Sequence, residues 1–223
     1  MTSTGLSVVS YELGTFKEEG SPRVVMGFVV RHPEGVLVVD TGFGFGHPEL
    51  DLQYDVRARR IRDALESVEV RQDEVTGVVN CHLHADHSGQ NRAFPGIPIW
   101  VQPAEWAAAH APDHTIVEWV DFDGALVRER AGDHQVVPGV RILATPGHTP
   151  GHQSVAVDTD AGLVILAGQA CYTAGEWDGD PEALEGRSSA PDVPAYDRSI
   201  QRLRDLAPAR VLFGHDRASW SAR

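Results

Sequence analysis

The segment His82-Leu83-His84-Ala85-Asp86-His87 places three imidazoles and a carboxylate within six positions. Neutral imidazole and ionised carboxylate are the usual protein ligands of zinc and its first-row neighbours. A lone histidine is most often an ordinary surface or core residue, but this density points to a metal site. The preceding Gly77-Val78-Val79-Asn80-Cys81 reads as a short buried strand. The ligands then follow its C-terminal end, with His82 and His84 alternating onto one side. Asp86 and His87 fall in the bend or helix start that Ser88-Gly89 favours.

Two later segments repeat the arrangement. Thr145-Pro146-Gly147-His148-Thr149-Pro150-Gly151-His152 puts His148 in a tight turn after the apolar strand at 140–144. Val211-Leu212-Phe213-Gly214-His215-Asp216 puts His215 at the end of another buried strand. Asp40, at the end of Val38-Val39, is placed either to orient a ligand imidazole by accepting its second N–H or to form a plain turn. Reactive groups on loops at the ends of several strands are what a rigid sheet floor presents to a substrate.

The elements that must hold these loops can be read in outline. Residues 24–30 and 35–39 are apolar strands joined by the turn His32-Pro33-Glu34-Gly35. Residues 55–68 show helical periodicity, with Asp55 as a plausible N-cap. A short strand at 97–101 precedes a proline-initiated, Ala-rich helix at 103–110. A strand pair at 153–158 and 162–167, an amphipathic helix at 196–206 and a strand at 211–213 complete the outline. Two similar strand-rich halves with intervening helices fit two packed sheets covered by helices, an α/β architecture. No internal repeat is strong enough to claim.

Composition narrows the function class. With 223 residues and no Ser/Gly-rich linker, residues 1–223 read as a single domain. A formal charge of −13 and no basic stripe argue against a nucleic-acid partner. No apolar run reaches the roughly 18 residues that span a membrane, and the first residues lack a secretory pattern, so a cytoplasmic location with no membrane partner is expected. The two cysteines make no disulfide framework, and Cys81 is expected to point away from the metal. Gly42-Phe43-Gly44-Phe45-Gly46 reads as a loop at the site mouth rather than a nucleotide loop, with Phe43 and Phe45 either lining a pocket or pinning the loop. His32, His47, His110, His114 and His134 read as ordinary surface residues. Ser88 is not on a nucleophile elbow, so Ser-His-Asp catalysis has no support. Trp100, Trp106 and Trp119 mark a region that could hide a partner surface, leaving monomer or homodimer open.

The run at 82–87, the Val38-Val39-Asp40-Thr41-Gly42 strand end, the turn at 146–152 and Gly214-His215-Asp216 together resemble the metallo-β-lactamase superfamily, over nearly the whole chain. Within it, the segments Val136-Val137-Pro138-Gly139-Val140, Gly151-His152-Gln153-Ser154 and Ala170-Cys171-Tyr172-Thr173 resemble the N-acyl homoserine lactonases. The resemblance implies a four-layer αββα sandwich and a metal-dependent hydrolase acting on a small-molecule lactone or related ester. It implies zinc, one or two ions per chain, with manganese or iron as alternatives. The ligand sets it implies are His82, His84 and His148 for one ion and Asp86, His87 and His215 for the other. Tyr172 is implied as an oxyanion donor, Asp86 as a proton carrier, and His152 as a residue behind the ligands. The family places a metal-bridging Asp where this chain has Gln169. A neutral amide with one acceptor oxygen does not replace a carboxylate that spans two cations. The expectation is therefore a firm first site and a weaker second one, against the alternative that Gln169 simply hydrogen-bonds within an ordinary two-metal site. Ala85 stands where the family tends to carry a larger side chain, and residues 41–56 form a short stretch for that family. A thioester or specialised metabolite as substrate, or a non-hydrolytic metal-binding role, are the alternatives these departures keep open.

Overall fold

The computed structural model describes residues 4–18 and 20–222. Its first sheet is built from β1 (Ser7–Glu18), β2 (Ser21–His32), β3 (Gly35–Val39), β4 (Arg57–Ala58), β5 (Val75–Val79), β6 (Pro98–Val101) and β7 (Leu126–Glu129). The second comprises β8 (His134–Val137), β9 (Val140–Ala144), β10 (Gln153–Thr159), β11 (Gly162–Leu166), β12 (Arg210–Leu212) and β13 (Ser219–Ser221). The spatial orders are β4-β1-β2-β3-β5-β6-β7 and β13-β12-β11-β10-β9-β8. β3, β5, β6 and β7 run parallel, as do β11 and β12.

The apolar run of β2 explains the layering. Val24, Met26, Phe28 and Val30 face Val140, Ile142, Val155, Val157 and Leu166 of the opposite sheet. The alternate residues Val25 and Val29 face the other way, into a core with Ile61, Ala64 and Leu65. These last three belong to α2 (Ile61–Glu66), which follows α1 (Pro48–Tyr54). A strand buried on both faces needs this unbroken apolar pattern rather than alternation. On the far side, Leu143, Ala156, Ile165 and Val211 pack under Tyr196, Ile200 and Leu203. Those three lie on α8 (Val193–Asp205), whose N-cap Asp192 accepts from Ala195 N. The sequence of layers is helix, sheet, sheet, helix, as the resemblance implied.

The remaining described α-helices are short: α3 (Ala85–Ser88), α4 (Pro103–Ala109), α5 (Val117–Val120), α6 (Ala174–Asp178) and α7 (Glu185–Ser189). None of the described helices is long and apolar enough to cross a membrane.

One expected element is overturned. Residues 55–68 do not form a single helix. Asp55 is the left-handed C-cap of α1 (φ 44°), not an N-cap, and Arg57–Ala58 pair with Thr15 and Gly14 of β1 before α2 begins. Edge pairing with a long strand outcompetes local helical propensity there. β1, β7 and β8 were not expected. The Trp region is largely internal: Trp119 is buried, and Trp100 and Trp106 are half-buried.

Candidate metal centre

The site lies where strand ends from both sheets meet. His82 follows β5, and α3 turns directly after it, with Asp86 and His87 inside that turn. Backbone and side-chain bonds pin the turn. Thr41 N donates to His87 O at 2.7 Å, Asn80 Nδ2 donates to the same oxygen at 3.1 Å, and Ser88 Oγ donates to Leu83 O at 3.0 Å. His148 comes from the β9–β10 loop, Gln169 from the end of β11, and His215 from the end of β12.

Six side chains converge as two triads. His148 Nε2 lies 3.2 Å from His82 Nε2 and 3.2 Å from His84 Nδ1. His87 Nε2 lies 3.1 Å from Asp86 Oδ2 and 3.4 Å from His215 Nε2, with His215 Nε2 3.5 Å from Asp86 Oδ2. Tetrahedral zinc with bonds of roughly 2.0–2.1 Å spaces its donors about 3.3 Å apart, so the spacing within each triad suits such an ion. Pairwise proton sharing cannot satisfy three nitrogens facing one point, whereas a cation accepts all of them. Gln169 is buried, and its Oε1 has no hydrogen-bond partner among the described residues. Buried acceptors are rarely left alone, and a nearby cation is one way to satisfy this one.

The atoms facing away from the triads are also held. His87 Nδ1 meets Asp40 Oδ2 at 2.9 Å, and Asp40 Oδ1 accepts from Cys81 N at 2.8 Å. Asp40 adopts φ 62°, a left-handed conformation that Asp tolerates better than most residues. His215 Nδ1 meets Val24 O at 2.7 Å. Such partners fix ring orientation and tautomer. Cys81 packs on the far side of the ligand rings. Its thiol sits 3.1 Å from His82 Nδ1 and 3.3 Å from His87 Nδ1, behind the atoms that form the triads. His152 stands behind them too, its Nε2 accepting from Gln169 N at 2.9 Å.

Burial dominates the electrostatics. It pushes His84 and His215 down to about 4 and holds His82 and His148 well below the usual histidine range, so these imidazoles are neutral, as metal ligands must be. His87 is the exception. Burial opposes its charge, yet the carboxylates of Asp86 and Asp40 hold its pKa well above normal, so a cation at its Nε2 would have to displace a proton. Asp86 is pushed up by burial and pulled down more strongly by His87, leaving it well below the carboxylate range. Burial raises the Tyr172 hydroxyl, which stays protonated.

A cavity of about 780 Å³ opens onto the triads, with His84, Asp86, His148, Gln169 and Tyr172 in its floor and Phe16, Phe43, Leu50, Tyr54 and Ile116 among its apolar walls. Tyr172 Oη lies 3.3 Å from His148 Nδ1 and 3.4 Å from Ser189 Oγ. Phe43 both lines this cavity and belongs to the core, whereas Phe45 is exposed with Arg60 over its ring. Two histidines expected on the surface are cavity residues instead. His47 caps α1 and packs on Trp119, and His114 meets Glu105 Oε1 at 2.8 Å beside the His84 ring. Glu105 itself was not anticipated. A single acidic residue in the first turn of an Ala-rich helix reads as a response to the helix dipole, and only the fold shows that it is buried.

Comparison with known proteins gives a consistent result. The family profile of the metallo-beta-lactamase superfamily matches residues 20–215. An N-acyl homoserine lactonase of Bacillus cereus is 36% identical over 206 residues, 85% of this chain and 80% of that protein. The N-acyl homoserine lactonase AttM of Azorhizobium caulinodans is 31% identical over 226 residues, 86% of this chain and 82% of its own length. The AiiA lactonase of Bacillus thuringiensis subsp. kurstaki aligns over 62% of its length at 35% identity. Among solved structures, an N-acyl homoserine lactone hydrolase with N-hexanoyl-L-homoserine bound at its catalytic metal centre superposes with a TM-score of 0.80 at 28% identity, covering 97% of this chain and 95% of that one.

Proposed function

This chain belongs to the metallo-β-lactamase superfamily, and on that premise we propose that it is a metal-dependent hydrolase that opens a lactone ring or cleaves a related ester, with N-acyl homoserine lactones the first substrates to test. The observation that carries the reading is the pair of donor triads in the floor of a cavity that also contains a buried tyrosine hydroxyl. His82, His84 and His148 would hold one cation, and Asp86, His87 and His215 a second. Zinc suits the donor spacing and the nitrogen-rich ligand set. When bound, such a cation supplies Lewis acidity and makes water nucleophilic near neutral pH.

The chain's own groups do the rest. Tyr172, kept protonated by burial, donates to the carbonyl oxygen as negative charge develops there. Asp86, ionised and within the cavity floor, takes a proton and passes it to the leaving alkoxide. Phe16, Phe43, Leu50 and Ile116 receive an apolar acyl portion, and the Ala85 methyl leaves room beside the ligands. Both cysteines are free thiols, which suits a reducing compartment such as the cytoplasm.

Gln169 makes the two positions unequal. Asp86 is the one carboxylate among the seven residues, and a neutral amide cannot bridge two cations. The three-histidine set holds its ion firmly, and the second set holds one weakly. Metal analysis after mild chelation is expected to find one ion per chain, and two that survive chelation would remove the asymmetry. Hydrolysis of a panel of small lactones, esters and thioesters, with zinc, manganese or iron(II) supplied, tests the function. Metal-dependent lactone turnover is expected, and no turnover with any metal would overturn the reading.

A further inference from the structure

Glu105 is 1% exposed, and among the described residues its ion-pair partner is His114 rather than a Lys or Arg. Four donors satisfy its carboxylate instead. Oε1 accepts from Leu83 N at 2.8 Å and meets His114 Nε2 at 2.8 Å. Oε2 accepts from Thr149 Oγ1 at 2.6 Å and from Gly151 N at 3.2 Å. Leu83 stands between His82 and His84, and Thr149 follows His148. One side chain on α4 therefore grips both loops that carry the three-histidine set. His114 extends the grip, its ring centroid 4.7 Å from that of His84. The approach is close: a Cβ on Gly151 would come within 2.1 Å of Glu105 N, so the second loop can dock here only with glycine at that position.

We propose that Glu105 is a positioning residue that holds His82, His84 and His148 in ligating geometry by clamping their two loops onto one carboxylate. The bases of these loops have other ties. Gln153 N donates to Cys81 O at 2.7 Å, and Gln153 Nε2 donates to Asn80 O at 2.8 Å. Glu105 holds the tips, where the imidazoles are. In Glu105→Gln the amide NH₂ replaces an acceptor and faces an N–H donor, so one loop is released while the fold keeps its other bonds.

The inference rests on the reading of His82, His84 and His148 as ligands, and the test separates the two. Metal-free protein is titrated with zinc against a chromophoric chelator, and cobalt(II) absorption reports ligand geometry. Glu105→Gln is expected to weaken the tightest zinc by roughly 10–100-fold and to alter the cobalt spectrum, as loss of a group supporting metal ligands does. Glu176→Gln is the comparison. That carboxylate is also buried, accepting from Tyr172 N, Arg187 N and Tyr196 Oη, but it does not touch the His82–His84 loop. It is expected to lose stability with zinc affinity within about twofold of wild type. Equal zinc binding by wild type and Glu105→Gln, or equal losses in both variants, would overturn the proposal. A wild-type protein that binds no zinc would overturn the ligand reading and this inference with it. Should Glu105→Gln not fold, Thr149→Val removes one donor from the clamp and is expected to weaken zinc several-fold, an unchanged affinity again being decisive against the clamp.

Discussion

At the scale of single residues, Tyr172 and Gln169 carry the sharpest consequences. In the proposed reaction the Tyr172 hydroxyl is the hydrogen-bond donor of the cavity floor, and it also contacts His148 Nδ1 and Ser189 Oγ. Its ring packs against His148 and His215, and Tyr172→Phe keeps those contacts. We expect that variant to lower kcat by roughly tenfold or more with a smaller change in KM, as loss of one oxyanion donor does. Steady-state kinetics on the best lactone of the panel checks this, and unchanged turnover would take Tyr172 out of the reaction. Gln169→Asp puts a carboxylate where an amide oxygen with no hydrogen-bond partner among the described residues now lies. It should raise the number of tightly held ions from one to two per chain, counted by elemental analysis after chelation. The convergence of His82, His84, Asp86, His87, His148 and His215 was legible because chemistry-bearing residues crowd strand ends. Glu105 and His114 were not legible, because a buried carboxylate and its imidazole partner look like any surface pair until their loops are folded over them.

At the scale of elements, legibility tracked apolar content. β2, β3 and β11 carry nearly continuous apolar runs, and a run of that kind announces itself. β1 mixes Ser, Glu, Gly and Lys, and it is stabilised by eleven register pairs with β2 that no local pattern reveals. Helix ends were equally opaque. Ala207, just past α8, takes φ 48° and donates its N–H to Arg204 O. An alanine pays about 1–2 kcal/mol for a left-handed backbone, and glycine removes that cost while adding up to about 1 kcal/mol of unfolded-state entropy. Ala207→Gly should therefore stabilise the protein by roughly 0.5 kcal/mol. Urea denaturation measures this, and a destabilised variant would show that the α8 terminus relaxes in solution.

At the scale of the whole molecule, the metal site makes the fold sensitive to acid. Burial pushes His84, His152 and His215 down to about 4 and holds His82 and His148 well below the usual histidine range. In the unfolded chain each would titrate near about 6.5. Below that value the unfolded state binds protons that the folded state refuses, so stability falls as pH falls. Glu105 adds to the loss at the lower end. His114, Thr149 and Leu83 outweigh burial and depress its pKa, so its contribution is full above about 4.5 and disappears as pH drops through the lower folded value. His87 acts at the other end. Its pKa is raised by Asp86 and Asp40, so its contribution is complete below about 6.5 and is lost as pH climbs through the folded value. Metal-stripped protein should therefore show a denaturation midpoint that drops steeply from pH 6.5 toward 4. Zinc-loaded protein should hold its midpoint to lower pH, because ions on neutral imidazoles compete with protons and stabilise the folded state by mass action. Midpoints measured at half-unit intervals with and without zinc distinguish the cases. Two superimposed curves would mean that the buried imidazoles bind no ion, and a metal-free profile flat between pH 6.5 and 4 would mean that they are not buried as neutral groups.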